Sequence, residues 1–175
     1  MKIIETADAP RHTGPVPQAV ESGGWVFVSA LFGNDPRTGR RPAEAAEEAD
    51  QLFANLAAIL AAAGVGLSDV VRVSIFMRDL QRDRPAFNQA WVRHFGDDRP
   101  ARSAVEVKDF GRPGEDVRYM VEAQAISPNA QTYGPNSPRC CRKSGEASTC
   151  RTGILYLSSS LSGNFCASQR DRRGA

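Results

Sequence analysis

Residues Pro42 to Ala63 carry the pattern that most restricts what this chain can fold into. Proline stands near the start, Glu44, Glu47, Glu48 and Asp50 crowd the amino-terminal end, and Gly64 follows the last apolar position. That is the charge and breaker asymmetry of a helix. Its apolar stripe, Ala46, Ala49, Leu52/Phe53, Leu56, Ile59/Leu60 and Ala63, repeats at three- and four-residue intervals. Such a stripe buries one face of the helix, here against a sheet. The flanking segments alternate at period two, so they supply that sheet.

Lys2 to Glu5 reads as a short edge strand, and Gln18–Val20 and Trp25–Ala30 as a hairpin joined through Glu21-Ser-Gly-Gly24. In the second of these strands Trp25, Phe27 and Ser29 share one face and Val26, Val28 and Ala30 the other. Both faces are apolar except at Ser29, which predicts cover on both sides and puts Ser29 at the carboxyl end, where a hydroxyl or the following amide can meet a ligand. Asn34-Asp-Pro-Arg-Thr-Gly39 is turn chemistry. Val70–Met77 predicts a strand burying Val71, Val73, Ile75 and Met77. A second helix is expected from Pro85 to just before Gly96, burying Phe87, Trp91 and Phe95, with Asn88 one turn in. The last strands are Ala101–Lys108 and Val117–Ile126. Strands around one long and one short helix predict an α+β two-layer sandwich with both helices on one face of the sheet.

At 175 residues one domain is expected. Charge divides the chain: residues 1–130 hold 15 basic and 18 acidic side chains, and residues 131–175 hold 7 and 2. The first part shows no basic stripe of the kind that binds nucleic acid. No apolar run resembles a signal peptide or a membrane span, so a cytoplasmic protein is expected. All four cysteines, Cys140, Cys141, Cys150 and Cys166, fall in the last quarter. The part that reads as folded has none, which argues against a disulfide framework or a thiol enzyme, and the spacing of the four does not match a structural zinc site. After Ser127, Pro, Ser, Asn, Arg, Gly and Cys dominate and apolar periodicity ends. Residues 1–128 therefore read as the folded domain and 129–175 as a disordered extension.

Two charged residues stand out. On Ala101–Lys108, Ala101, Ser103, Val105 and Val107 share one face, which puts Arg102 on the other with Ala104, Glu106 and Lys108. A guanidinium fixed on a strand is a planar, permanent cation that matches a carboxylate with two prongs. On the following strand Arg118, Met120, Glu122, Gln124 and Ile126 share a face. Glu122 is then either the salt-bridge partner of an arginine or a carboxylate whose pKa is raised enough to move protons.

The ordered segments Gly14-Pro-Val-Pro-Gln-Ala-Val20, Trp25-Val-Phe-Val-Ser-Ala30, Asn34-Asp-Pro-Arg-Thr-Gly39, Gln51-Leu-Phe-Ala-Asn-Leu56, Ala62-Ala-Gly64, Ser68-Asp-Val-Val71, Phe87-Asn88, Pro100-Ala-Arg-Ser103 and Glu122-Ala-Gln-Ala-Ile126 carry a resemblance. In that order and at those intervals the chain resembles the Rid/YjgF family of imine and enamine deaminases over roughly residues 1–127. The resemblance implies a chorismate-mutase-like fold, a mixed sheet of about six strands on two helices, and a homotrimer with ligand clefts between subunits. It implies hydrolysis of small 2-imino acids or enamines to 2-oxo acids and ammonia, with no metal or organic cofactor; the charge and apolar patterns above, not the resemblance, are what lead us to expect no nucleic-acid and no membrane partner. By the same resemblance Arg102 clamps the substrate carboxylate, and Glu122 takes the proton of the attacking water. Ser29 and the backbone near Ala30 orient carboxylate or water, and Asn88 lines the pocket. Val16 and Ala104 occupy pocket positions where the family usually has tyrosine and cysteine, and Leu31 replaces a common glutamine.

These exchanges keep the charges and remove polar lining, which implies a bulkier or more apolar imino acid or a related C=N compound. The alternative is a non-catalytic trimeric module that binds small carboxylates. Ribonuclease activity, which some relatives have, is disfavoured by the acidic folded part and by His12 and His94 lying outside the motifs. Deleting residues 131–175 is expected to leave the thermal midpoint and turnover nearly unchanged; a large loss of either would show that the extension docks on the domain.

Overall fold

The computed structural model describes residues 1–111 and 116–127. In chain order the elements are β1 (Lys2–Ile4), β2 (Ala19–Ser22), β3 (Trp25–Phe32), α1 (Ala45–Ala62), β4 (Val70–Met77), α2 (Leu80–Phe95), β5 (Ala101–Glu106) and β6 (Tyr119–Ile126), with a single 3-10 turn at Leu67–Asp69. The sheet runs β1-β2-β3-β6-β4-β5. β4 and β5 are parallel, as a crossover through α2 requires, and every other pair is antiparallel. This is the expected α+β sandwich. The extension expected to be disordered and the middle of the 109–116 link lie outside the described residues.

Both helices lie on one face. Leu52, Phe53, Leu56, Ile59 and Leu60 of α1 are fully buried and join one core with Val26, Val73, Ile75, Val121, Ala123 and Ala125 of the sheet. Phe53 is its aromatic centre, 5.2 Å from the ring of Phe87 and 5.7 Å from that of Phe95 on α2. His94, which lies outside the motifs, also packs on Phe53 and lies 3.1 Å from Asp50 of α1. Among the described residues no helix is long and apolar enough to cross a membrane.

The departures from expectation have local causes. α1 begins at Ala45 rather than Pro42, and the chain before it carries Arg41 to 3.5 Å from the buried Glu48. α2 begins at Leu80, not Pro85, because Asp79 caps it by accepting from the Arg82 N–H at 2.8 Å. Pro85 is thus inside the helix and Asn88 lies two turns in. In β4 a bulge between Val70 and Arg72 puts Val70 into the core and leaves Val71 exposed. Among the described residues β3 is covered by helices on one side only, and Trp25 and Phe27 on the other side are about two-fifths exposed. β5 is an edge strand with every residue exposed, so its row of Ala101, Ser103 and Val105 builds no core.

Buried polar groups tie the loops to this frame. The Gln18 amide accepts from the Thr6 N–H at 2.6 Å and donates to the carbonyls of Thr6, Ala9 and Pro10. Glu48, with no exposed side-chain surface, accepts from Arg118 Nη1 at 2.9 Å and from the Arg118 backbone N–H at 3.1 Å, fixing the start of β6 to α1. Burial lifts the Glu48 carboxyl above its ordinary range, and the Arg118 hydrogen bonds pull the other way. A Cβ at Gly33 would run into the Glu48 carbonyl, so glycine there permits the close approach of β3 and α1. Glu48→Ala leaves two guanidinium groups without their buried partner and is expected to cost about 3–5 kcal/mol, measured by urea unfolding. A loss within experimental error would mean that the ion pair is dispensable.

Candidate active site

Arg102 stands where β5 meets α2. Its Nη2 donates to Asn88 Oδ1 at 2.9 Å, and its guanidinium carbon lies 4.7 Å from the centroid of the Trp91 ring. Asn88 and Trp91 are three residues apart on α2 and so share one side of the helix. One partner sets the edge of the fork and the other lies under its face, while the remaining N–H groups are left for a ligand. No carboxylate lies within ion-pair distance of Arg102 among the described residues, and the indole covers one face of the guanidinium. Burial, followed by the charges of Arg84 and Arg99, lowers its pKa from the ordinary arginine value. It stays a cation at any physiological pH.

Register decides which predicted residues meet it. Arg102 pairs with Val73 and Ala104 with Ile75, and both partners are buried under the helices. Arg102, Ala104 and Asn88 are therefore on the helix side of the sheet edge. Glu122 pairs with Ser74 on the opposite, open face and is exposed. The carboxylate and the guanidinium do not come together within one chain, and neither is the other's salt-bridge partner.

Glu122 has company of its own. The β3–β6 ladder pairs Val28 with Ala123 and then Leu31 with Val121, so Ser29 and Ala30 together oppose the single residue Glu122. This is a β-bulge, a device that re-aims side chains and backbone beside functional sites. Ser29 is fixed from the other side: its N–H donates to the Gln18 carbonyl at 3.0 Å and its Oγ to the Pro17 carbonyl at 2.7 Å. Those bonds seat the Gly14–Gln18 segment next to the bulge, with Val16 exposed on it. A cleft of about 350 Å³ opens past Ala30, between Pro10–Thr13 and the Asn34–Gly39 turn, with Leu31 and Phe32 in its wall.

The sequence pattern does not reveal the Trp91 stack, since an aromatic on a helix stripe reads as core, and Trp91 is indeed 97% buried while offering one ring face to Arg102. Its three-residue spacing from Asn88 was the available signal. Nor does alternation within one strand reveal the bulge, which exists only in the pairing with β6. Among the described residues no group of three or more His, Cys, Asp or Glu side chains is placed to hold a metal ion.

The family model described as Endoribonuclease L-PSP matches residues 6–129. The chain belongs to this family, also called Rid/YjgF. It is 36% identical over 128 residues to the 2-iminobutanoate/2-iminopropanoate deaminase of Escherichia coli, covering 71% of this chain and 97% of that protein. A RutC family protein of Pyrococcus horikoshii is 35% identical over 125 residues, covering 71% and 96%. Among solved structures, E. coli TdcF with bound serine matches with TM-score 0.67 and 34% identity over 72% of this chain and 98% of that one. The likeness covers the sandwich and, as in the sequence, stops where the extension begins.

A double-mutant cycle over Trp91→Leu and Arg102→Ala is expected to give a coupling of about 0.5–1 kcal/mol in unfolding free energy. Additive effects would mean that the indole face does not hold the guanidinium.

Proposed function

We propose that this Rid/YjgF protein hydrolyses the C=N bond of small 2-imino acids, or the enamines that tautomerise to them, at sites built between the copies of a homotrimer. The observation that carries the reading is the split of the site. Arg102, Asn88 and Ala104 are on one side of a bare sheet edge, and Glu122 with the Ser29–Ala30 bulge and Val16 is on an open sheet face. Each half is a partial site, and a second copy laid against the open face would complete both. That face also exposes Trp25, Phe27 and Val105, which is apolar surface of the kind an interface covers.

In this reading Arg102 takes the substrate carboxylate while Asn88 and Trp91 hold the guanidinium plane. Water adds to the carbon of the protonated imine as Glu122 accepts one of its protons, and the C=N electrons move to nitrogen, which becomes a neutral amine. The amino alcohol so formed collapses as Glu122 passes its proton to that nitrogen and takes up the hydroxyl proton in turn: the C–N bond breaks, ammonia leaves, the carbonyl of the 2-oxo acid forms and Glu122 releases the proton to solvent. An iminium carbon is electrophilic enough for this without a cofactor. Cover by a second copy would desolvate Glu122, which is how a carboxylate becomes a useful base near neutral pH. The deaminase name of the E. coli relative and the serine held by TdcF, a small molecule bearing a carboxylate, support the substrate class.

Glu122→Gln keeps the side chain's size and removes the base, so turnover should fall roughly 10²–10⁴-fold while 2-oxo acid analogues still bind. Coexpressing Arg102→Ala and Glu122→Gln chains, each inactive alone, should restore about a quarter of wild-type turnover, because a random mixture builds that fraction of its sites from two intact halves. Wild-type turnover in Glu122→Gln would leave a binding module as the reading, and no recovery in the mixture would place the site within one chain.

A further inference from the structure

The cleft beside the Ser29–Ala30 bulge has no part in the chemistry described so far. At about 350 Å³ it has the size of a small-ligand pocket. Both of its walls are preset. On one side the buried Gln18 amide donates to the carbonyls of Ala9 and Pro10, each at 3.0 Å, while the Gln18 backbone carbonyl accepts from the Ser29 N–H, so a single residue places Pro10 and the bulge. On the other side Asn34 donates to the Gly39 carbonyl at 3.0 Å and accepts from Arg41 Nη2 at 3.1 Å. Asn55 of α1 donates to the carbonyls of Phe32 and Asn34, both at 2.9 Å, which ties that wall to the core. A ligand entering a cleft held open in this way does not have to order its walls.

The lining says what enters. Pro10, Ala30, Leu31, Phe32 and Pro36 give it apolar surface, and the Phe32 ring is met edge-on by Phe110 at 6.0 Å. Arg11 and His12 border it as well, but the facing turn carries Asp35, whose Oδ1 accepts from the Arg37 N–H at 2.7 Å and the Thr38 N–H at 3.2 Å. Those two bonds hold the Asp35 carboxyl below its ordinary range, so it is ionised and opposes a second anion there. Ala30 joins the cleft to the reacting groups: it lines the cleft, and in the β3–β6 ladder it stands with Ser29 opposite Glu122. A methyl or ethyl group fills only a small part of such a volume.

We propose that this cleft is the subsite for the side chain of the imino acid, and that the side chain is apolar and at least the length of a butyl group. This rests on the deaminase site proposed above and specifies which imino acids it takes. Glu122 and the cleft belong to the same half-site, so an imine carbon beside the carboxylate has its side chain directed past Ala30 while its own carboxylate reaches Arg102 of a second copy. The less polar lining at Val16 and Ala104 is in keeping with such a substrate.

The test is titration calorimetry on the full chain with 2-oxobutanoate, 2-oxohexanoate and 2-oxoadipate, product analogues that share the 2-oxo acid group and differ beyond it. The wild type is expected to bind 2-oxohexanoate roughly tenfold more tightly than 2-oxobutanoate, from two further buried methylene groups. It should bind 2-oxoadipate, which ends in a carboxylate instead of a methyl group, more weakly than 2-oxohexanoate. Thr13→Trp fills the cleft from an exposed position on its wall, and should bring 2-oxohexanoate down to the affinity of 2-oxobutanoate while leaving 2-oxobutanoate unchanged. Equal binding of 2-oxobutanoate and 2-oxohexanoate by the wild type, tighter binding of 2-oxoadipate than of 2-oxohexanoate, or a preference for chain length that survives in Thr13→Trp would overturn the subsite and leave the carboxylate anchor in place. Failure of all the acids to bind would overturn the anchor itself and the subsite with it.

Discussion

Two helices cannot cover both faces of a six-stranded sheet, and most of what distinguishes this molecule follows from that shortage. With α1 and α2 on one side, the sheet turns Trp25, Phe27, Val105 and Ile126 outward. Antiparallel sheets tolerate one solvated face when its residues are polar, and this face is only partly so. Glu122 and the Ser29–Ala30 bulge sit on the same face, so the proposed chemistry and the unfinished burial share a surface. Whatever covers that surface also changes the solvation of the carboxylate. Under the proposed reading oligomerisation and catalysis would be linked, because the site would have its working dielectric only once the apolar surface is buried.

The crossover supplies the other half. A parallel pair needs a connection that returns to the starting end, and α2 is that connection between β4 and β5. Its return path lays Asn88 and Trp91 against Arg102, so a topological necessity becomes a clamp for a guanidinium. The buried Glu48–Arg118 pair performs a comparable service for β6, setting the height at which the strand starts and hence which residue of β6 faces the bulge. Removing such a pair would act on that face through register rather than through contact.

How much of this was legible in the sequence depends on whether one segment suffices to define a feature. α1, the period of every strand and the class of the fold are properties of single stretches, and they emerge from spacing alone. Alternation separates Arg102 from the row Ala101, Ser103 and Val105 but misjudges which row meets the helices: on this edge strand Arg102, not the more apolar row, is on the helix side. Ser29 is different: its strand predicts a regular end, and only pairing with β6 makes it half of a bulge. Val71 is a similar case, exposed because a second bulge shifts the phase of β4 at its first residue. The early start of α2 was readable, since Asp79 stands three residues before the amide it caps, but Pro85 gave the stronger local signal and drew the boundary too late. That Arg102 and Glu122 lie on opposite faces needs the order of strands, which no single segment contains.

Under the proposed reading, the exchanges at Val16 and Ala104 make the lining around the reacting carbon less polar, which weakens discrimination by hydrogen bonds there, since an apolar wall rejects an analogue by little more than its size. A site that gives up short-range polar contacts needs some other interaction to orient its ligand, and a guanidinium held in one plane is effective because its two prongs determine a direction where a point charge fixes only a position. With water as the nucleophile and a small electrophile, holding the imine carbon at the right angle to Glu122 would be most of what such a protein has to contribute. The Arg102 fork, bonded by Asn88 and stacked on Trp91, is the group placed to do that.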